Sequence, residues 1–208
     1  MKNFKLAFYL TVVAFVLSAS AGSFDDFFRA VAFDDASAVA NLLARGFDPN
    51  ARDGDGQCAL GLAAREGSER VVDVLLKQPQ LNIDTRNNTG ETALMFAALH
   101  GRLQMAQRLI ERGAAVTQDG WNPLHYAATG PEPKIVALLL NKGAPIDARS
   151  PNGTTALMMA ARYGSEQSVM LLLQQRADPA ARNERGLNAA DFARSAGRES
   201  LAKRLESR

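Results

Sequence analysis

The sequence predicts an all-α repeat solenoid, and three observations carry that reading. A glycine-led motif recurs at a nearly fixed period, apolar pairs recur on one helical face, and residues suited to helix ends flank each apolar run. The motif occurs five times: Gly56-Gln57-Cys58-Ala59-Leu60, Gly90-Glu91-Thr92-Ala93-Leu94, Gly120-Trp121-Asn122-Pro123-Leu124, Gly153-Thr154-Thr155-Ala156-Leu157 and Gly186-Leu187-Asn188-Ala189-Ala190. The leading glycines lie 34, 30, 33 and 33 residues apart. A period of this size marks a stacked array, in which no single unit buries its apolar face alone.

Each element follows from local chemistry. Thr92, Thr155 and Asn122 stand where an N-cap is needed, and Pro123 follows Asn122 at N1, where its missing N–H is harmless. Asn188 with Asp191 three residues on resembles a capping box, whereas Cys58 is the weakest cap of the set. A second glycine closes each first helix: Gly67, Gly101, Gly130, Gly164 and Gly197. Second helices follow, with Val71-Val72 and Leu75-Leu76, or Met105-Ala106 and Leu109-Ile110, on one face. Several end on a cation and a glycine, as in Arg45-Gly46, Arg112-Gly113 and Lys142-Gly143, which suits both the helix dipole and a left-handed cap. The alanine pairs Ala63-Ala64, Ala97-Ala98, Ala127-Ala128 and Ala160-Ala161 allow close helix approach. Leu62, Phe96, Tyr126, Met159 and Phe192 share one register and read as core between units.

The segment Gly120-Trp121-Asn122-Pro123-Leu124-His125-Tyr126-Ala127-Ala128, repeated in register, resembles the ankyrin repeat family. The resemblance implies an ankyrin-repeat solenoid of stacked helix-turn-helix repeats with short β-turn fingers. Its expected organisation is a partial, capping repeat over 22–52, repeats over 53–86, 87–116, 117–149 and 150–182, and a C-terminal capping repeat over 183–208. The first of these is an incomplete copy from Phe24 to Asn50, in which Leu42 to Asn50 fits the second helix and outgoing turn. In the last, Leu201 and Leu205 face inward while Arg198, Lys203 and Arg204 are free to face water. The pattern departs from regularity near His125. Gly113 to Gly120 spans seven positions where Gly46–Gly56 and Gly143–Gly153 span ten, and Pro131-Glu132-Pro133 opens the following second helix.

Residues 1–21 read as a secretory signal peptide. Lys2 and Lys5 form a basic start, Leu6 to Leu17 is uncharged, and Ala19-Ser20-Ala21 offers a cleavage site before Gly22. Twelve apolar residues reach about 18 Å as a helix, short of a ~30 Å hydrocarbon core, so export without membrane insertion is expected. A periplasmic location comes first and secretion second. Without those residues the basic and acidic side chains are equal in number, which removes the electrostatic case for nucleic acid or an anionic membrane.

Candidate chemistry is sparse. One cysteine and two histidines give no metal site, and no cofactor motif occurs. Ser200-Leu201-Ala202-Lys203 matches a Ser-x-x-Lys pattern without its companion segments, and Asp34 or Asp35 reads as a helix cap. His125 falls on the family's histidine, where it ties turns together. For Cys58 three readings stand: a small residue in place of threonine, a thiol activated at a helix start, or a partner in an intermolecular disulfide. No catalytic residue is expected, and the chain reads as a non-enzyme.

By position, the resemblance implies that partners meet the finger tips and the exposed side of the first helices. That places a protein partner against Arg65, Glu66, Leu99, His100, Asp119, Trp121, Arg162 and Tyr163, with further finger positions at Arg86, Asn88, Arg149, Asn152 and Arg185. Large apolar side chains at nominally exposed positions are the informative members. Trp121 has two readings, a binding anchor or a lid folded over the short finger. The expected function is a monomeric adaptor or scaffold for another exported protein, with stress defence as the family's lead. The alternative is an inhibitor or immunity protein that blocks an exported toxic enzyme.

Overall fold

The computed structural model describes residues 24–207, which form six helix pairs. In chain order they are α1 (24–32) with α2 (Ala36–Ala44), α3 (Ala59–Glu66) with α4 (Glu69–Leu76), and α5 (Ala93–Leu99) with α6 (Leu103–Glu111). Then come α7 (Pro123–Thr129) with α8 (Pro133–Asn141), α9 (Ala156–Arg162) with α10 (Glu166–Gln174), and α11 (Ala189–Ser195) with α12 (Glu199–Glu206). The chain is an all-α solenoid: α3, α5, α7, α9 and α11 stack in one row and α2, α4, α6, α8 and α10 in a second. Between pairs, the chain runs out into fingers. Among the described residues there is no strand, only an isolated antiparallel bridge between Arg52 and Cys58. No described helix is long and apolar enough to cross a membrane. The signal-peptide reading of residues 1–21 lies outside the described residues.

The core runs the length of the stack. Leu60, Leu94, Leu124 and Leu157 are buried at equivalent places, and the four alanine pairs are buried completely or nearly so. Each fully buried leucine contributes about 1.5–3 kcal/mol, so stability is spread along the array rather than centred. Thr92 and Thr155 accept from the backbone N–H of Met95 and Met158, and Asn188 and Asp191 form a reciprocal capping box. Cys58 caps too, its sulfur accepting from Gly61 N at 3.3 Å. Burial pushes this thiol above its usual pKa, which opposes the activated-thiol reading.

Several helix ends are satisfied by a neighbouring repeat. Asp35 caps its own helix α2, but Asp34 accepts from Val71 N at 2.9 Å and so caps α4, where Ser68 makes no side-chain cap. Arg102 donates to the carbonyls of Ala64 and Arg65 at the end of α3. Arg198 donates to the carbonyls of Ala160, Ala161 and Gly164 at 2.9–3.1 Å. This corrects the reading of Arg198 as a water-facing residue. Its guanidinium is a C-cap for α9, while Lys203 is exposed and Arg204 pairs with Glu166 at 2.8 Å.

Where no arginine serves, the backbones close in. A Cβ on Gly130 would lie 2.5 Å from the Ala98 carbonyl oxygen, and one on Gly164 would collide with that of Ala128. Glycine is demanded there by space; Gly67, Gly101 and Gly197 instead hold positive φ.

The first repeat differs from expectation in having both helices. Phe27 stacks on Phe47 at 4.2 Å, with Phe24 and Phe28 packed around them, sealing the N-terminal end of the core. At the other end Leu201, Ala202 and Leu205 are buried under the final turn.

Candidate interaction groove

The fingers set the site's geometry. In four of them an Asp, Asn or Ser closes a tight backbone turn: Asp53, Asn87, Ser150 and Asn183 each donate from N–H to the carbonyl four residues on. The glycine three residues on donates back to each. The side chains reinforce the turn, Asn183 Oδ1 for example accepting from Arg185 N and Leu187 N at 3.0 Å. An arginine precedes each of these residues. Arg52 bridges the carbonyls of Gly56 and Arg86 at 2.8 and 2.6 Å, and Arg149 reaches that of Arg182 at 2.8 Å, so neighbouring fingers are tied together.

The third finger has Val116 and Thr117 at those two places, and neither backbone bond forms. The Gln118 amide substitutes, donating to Trp121 O at 2.7 Å and to Gly90 O at 3.2 Å. The third finger is thus shorter and differently closed from the other four.

Trp121 stands at the base of this finger, half-buried, its ring edge-to-face with His125 at 5.2 Å. His125 is 1% exposed. It completes a capping box with Asn122, and its Nε2 lies 2.9 Å from the Thr154 carbonyl oxygen in the fourth finger. Burial pushes the imidazole below its usual pKa, although the Thr154 and Ala148 backbone pulls the other way. In the neutral ring Nδ1 accepts from Asn122 N–H and Nε2–H donates to Thr154. With both nitrogens occupied, His125 is a tie between repeats and not a base.

Leu99, Trp121, His125, Tyr126, Thr129 and Met159 enclose a pocket of about 250 Å³. Its imidazole and hydroxyl groups are already partnered. The Tyr126 hydroxyl donates to Glu91 Oε1 at 2.9 Å and the Thr129 hydroxyl to the His125 carbonyl at 2.9 Å. Burial and the Glu91 hydrogen bond push the Tyr126 phenol well above its usual pKa. Burial alone would raise Glu91, but hydrogen bonds from Asn87, Thr89 and Tyr126 hold it below the usual carboxylate value. The pocket can therefore take an apolar group and offers no proton chemistry.

Trp121 and Met159 also line a second cleft, of about 400 Å³, shared with Arg162, Tyr163, Arg185, Leu187, Phe192 and neighbouring polar groups of the fourth and fifth fingers. Tyr163 is 56% exposed, and the Arg162 guanidinium lies 5.0 Å from its ring centroid. The two clefts form one groove.

The structure brings together Leu99, Trp121, Arg162 and Tyr163 of the sequence-predicted site, with Thr129, Asn152 and Arg185. It does not bring in the others. Arg65 and Glu66 pair with each other at 3.0 Å, and His100 and Asp119 are exposed without lining either cleft. Trp121 packs on His125 and walls both clefts.

The core register needs correction. Leu62 and Phe96 are buried, but Tyr126, Met159 and Phe192 are half-buried and line the groove. Among the described residues no cluster of His, Cys, Asp or Glu is placed to hold a metal ion.

A family model described as ankyrin repeats in three copies matches residues 27–119 and 114–183. The chain belongs to the ankyrin repeat family, whose repeats mediate protein–protein interaction. Among particular proteins, it is 32% identical to the tyrosine-protein kinase Shark of Drosophila melanogaster, over 67% of this chain and 15% of that protein. It is 36% identical to the human SH3 and multiple ankyrin repeat domains protein 2, over 71% of this chain and 8% of that protein. The chain thus spans less than a sixth of these relatives.

Two solved structures are similar along most of the chain. One is a chain in the complex of the Bd0816 predatory endopeptidase from Bdellovibrio bacteriovorus with immunity protein Bd3460. It is 31% identical with a TM-score of 0.76, over 88% of this chain and 97% of that chain. The other is the ankyrin repeat domain of Bcl-3, 30% identical with a TM-score of 0.69, over 85% and 81% of the two chains.

Proposed function

We propose that this protein is a non-enzymatic, exported, monomeric binding module that seats another exported protein in the groove running from Leu99 to Phe192. The observation that carries the reading is a groove that joins an apolar pocket beside the one irregular finger to a mixed polar and apolar cleft, with Tyr163 and Arg162 exposed at its rim. Aromatic and arginine side chains beside desolvated pockets are where binding energy concentrates. Of the two roles such a module can have, adaptor or inhibitor, the inhibitor has specific support. A neighbour covering nearly all of its own chain comes from a complex of an endopeptidase with an immunity protein. In this role the chain occludes an exported enzyme by occupying a surface it needs.

The test is capture of partners from the extracytoplasmic fraction by wild-type protein, Trp121→Ala, Tyr163→Ala and Gln107→Ala. Gln107 is exposed on α6, away from the groove, and unlike Glu69 or Arg70 it is not tied to a neighbouring repeat. Removing a groove anchor is expected to weaken binding by about 2 kcal/mol, roughly thirtyfold. Gln107→Ala should bind as wild type does. Groove variants that stay folded and keep the partner, with loss confined to Gln107→Ala, would overturn the reading. An adaptor leaves its captured partner active, whereas an inhibitor lowers that partner's activity on its own substrate.

A further inference from the structure

The charge of the groove is one-sided, and that points to the chemistry of what it holds. Arg162 and Arg185 both line the larger cleft, and no acidic side chain lines either cleft. Neither arginine belongs to an ion pair among the described residues, although Arg108, Arg194 and Arg204 are all paired with carboxylates elsewhere on the surface. Arg162 instead lies over the face of Tyr163 at the cleft rim.

The adjoining pocket has the opposite character. Its lining is apolar apart from His125 and hydroxyls that are already bonded, and its volume of about 250 Å³ suits one bulky side chain rather than a drug-sized ligand. Trp121 and Met159 form the shared wall. An apolar socket and a pair of free guanidinium groups therefore sit side by side.

Resting on the function proposed above, we infer that the groove recognises a polypeptide segment in which a bulky apolar side chain fills the Leu99–Trp121–Met159 pocket. An Asp or Glu a short distance along that segment engages Arg162 and Arg185. Arginine reads carboxylate geometry through paired N–H donors, so this contact sets direction and selectivity while the apolar anchor supplies affinity.

A phage-displayed library of random peptides selected on the folded protein tests this. Selected peptides are then titrated by the emission of Trp121, the only tryptophan in the chain. The expected result is enrichment of sequences pairing Phe, Leu or Met with a nearby Asp or Glu, and a shift of Trp121 emission on binding. Arg162→Gln or Arg185→Gln should weaken such a peptide about tenfold, as should amidating its acid. Combining the two changes should add little, because they remove the same contact. Arg185→Glu should move selection toward lysine-bearing peptides. Absence of enrichment, enrichment indifferent to acid, or losses that simply add would overturn the inference. Its failure is separable from that of the function. Acid-indifferent peptides that still need Trp121 and Tyr163 leave the groove reading standing, whereas binding indifferent to both anchors removes both.

Discussion

The third finger and the fourth do the same topological job with different chemistry. In the fourth, Ser150 closes the turn and Arg149 ties it to the fifth. In the third, the Gln118 amide does what it can, and the helices alongside keep Tyr126 and Met159 partly open. Regular fingers lock to one another through an arginine, as Arg52 and Arg149 show, and so tie the stack together. The third finger, three residues shorter, has no arginine to make that tie, and the apolar pocket lies beside it.

The sharpest way to probe the comparison is to disturb how the third and fourth repeats seat on their predecessors. Gly164→Ala places a methyl against the Ala128 carbonyl and should destabilise by about 3 kcal/mol, the upper end for overpacking. Gly143→Ala meets open space and should cost only about 1 kcal/mol through its positive φ. Denaturant unfolding of both variants checks this, and equal losses would remove the distinction between the two kinds of glycine.

Next in size is the tie that joins the short finger's repeat to the fourth. His125→Ala takes one of two partners from the Thr154 carbonyl, which keeps the Ser150 N–H, and removes half of a capping box and a buried ring, for about 2 kcal/mol. The same residue gives a pH signature. Its folded pKa lies below its usual value near 6.5, so the unfolded chain takes up a proton that the folded chain resists. The stability it contributes is intact above pH 6.5 and falls as the pH drops below it. Thermal melts at neutral and mildly acidic pH should show that loss in wild type and a smaller one in His125→Ala.

The smallest effect concerns the entry to the fifth finger, where Arg176 occupies the left-handed region at φ 69° in the place other exits give to glycine. Arg176→Gly should stabilise by under about 1 kcal/mol, detectable as a raised denaturant midpoint.

What the sequence discloses and what it hides divide along a physical line. Caps such as Asn122 and exits such as Gly113 are legible because the backbone demand they meet lies within a few residues. Gly130 and Gly67 look alike in the sequence, yet one answers to a neighbour's carbonyl and the other to its own φ. Asp34 and Arg198 are opaque for the same reason, since the groups they satisfy lie more than thirty residues away. Of the groove, Trp121 and Tyr163 are legible as large side chains in exposed register. Tyr126, Met159 and Phe192 are not, because their exposure depends on cover from other segments.

The account turns on the claim that the short finger creates the binding groove. Replacing residues 113–119 with 143–152, the fourth finger's own sequence up to its glycine, tests this most directly, with Trp121 and the first helices left unchanged. The account predicts a chain that melts at or above the wild-type temperature and fails to retain the captured partner, because the restored finger covers the pocket. A folded chimera that binds the partner as tightly as wild type would contradict it.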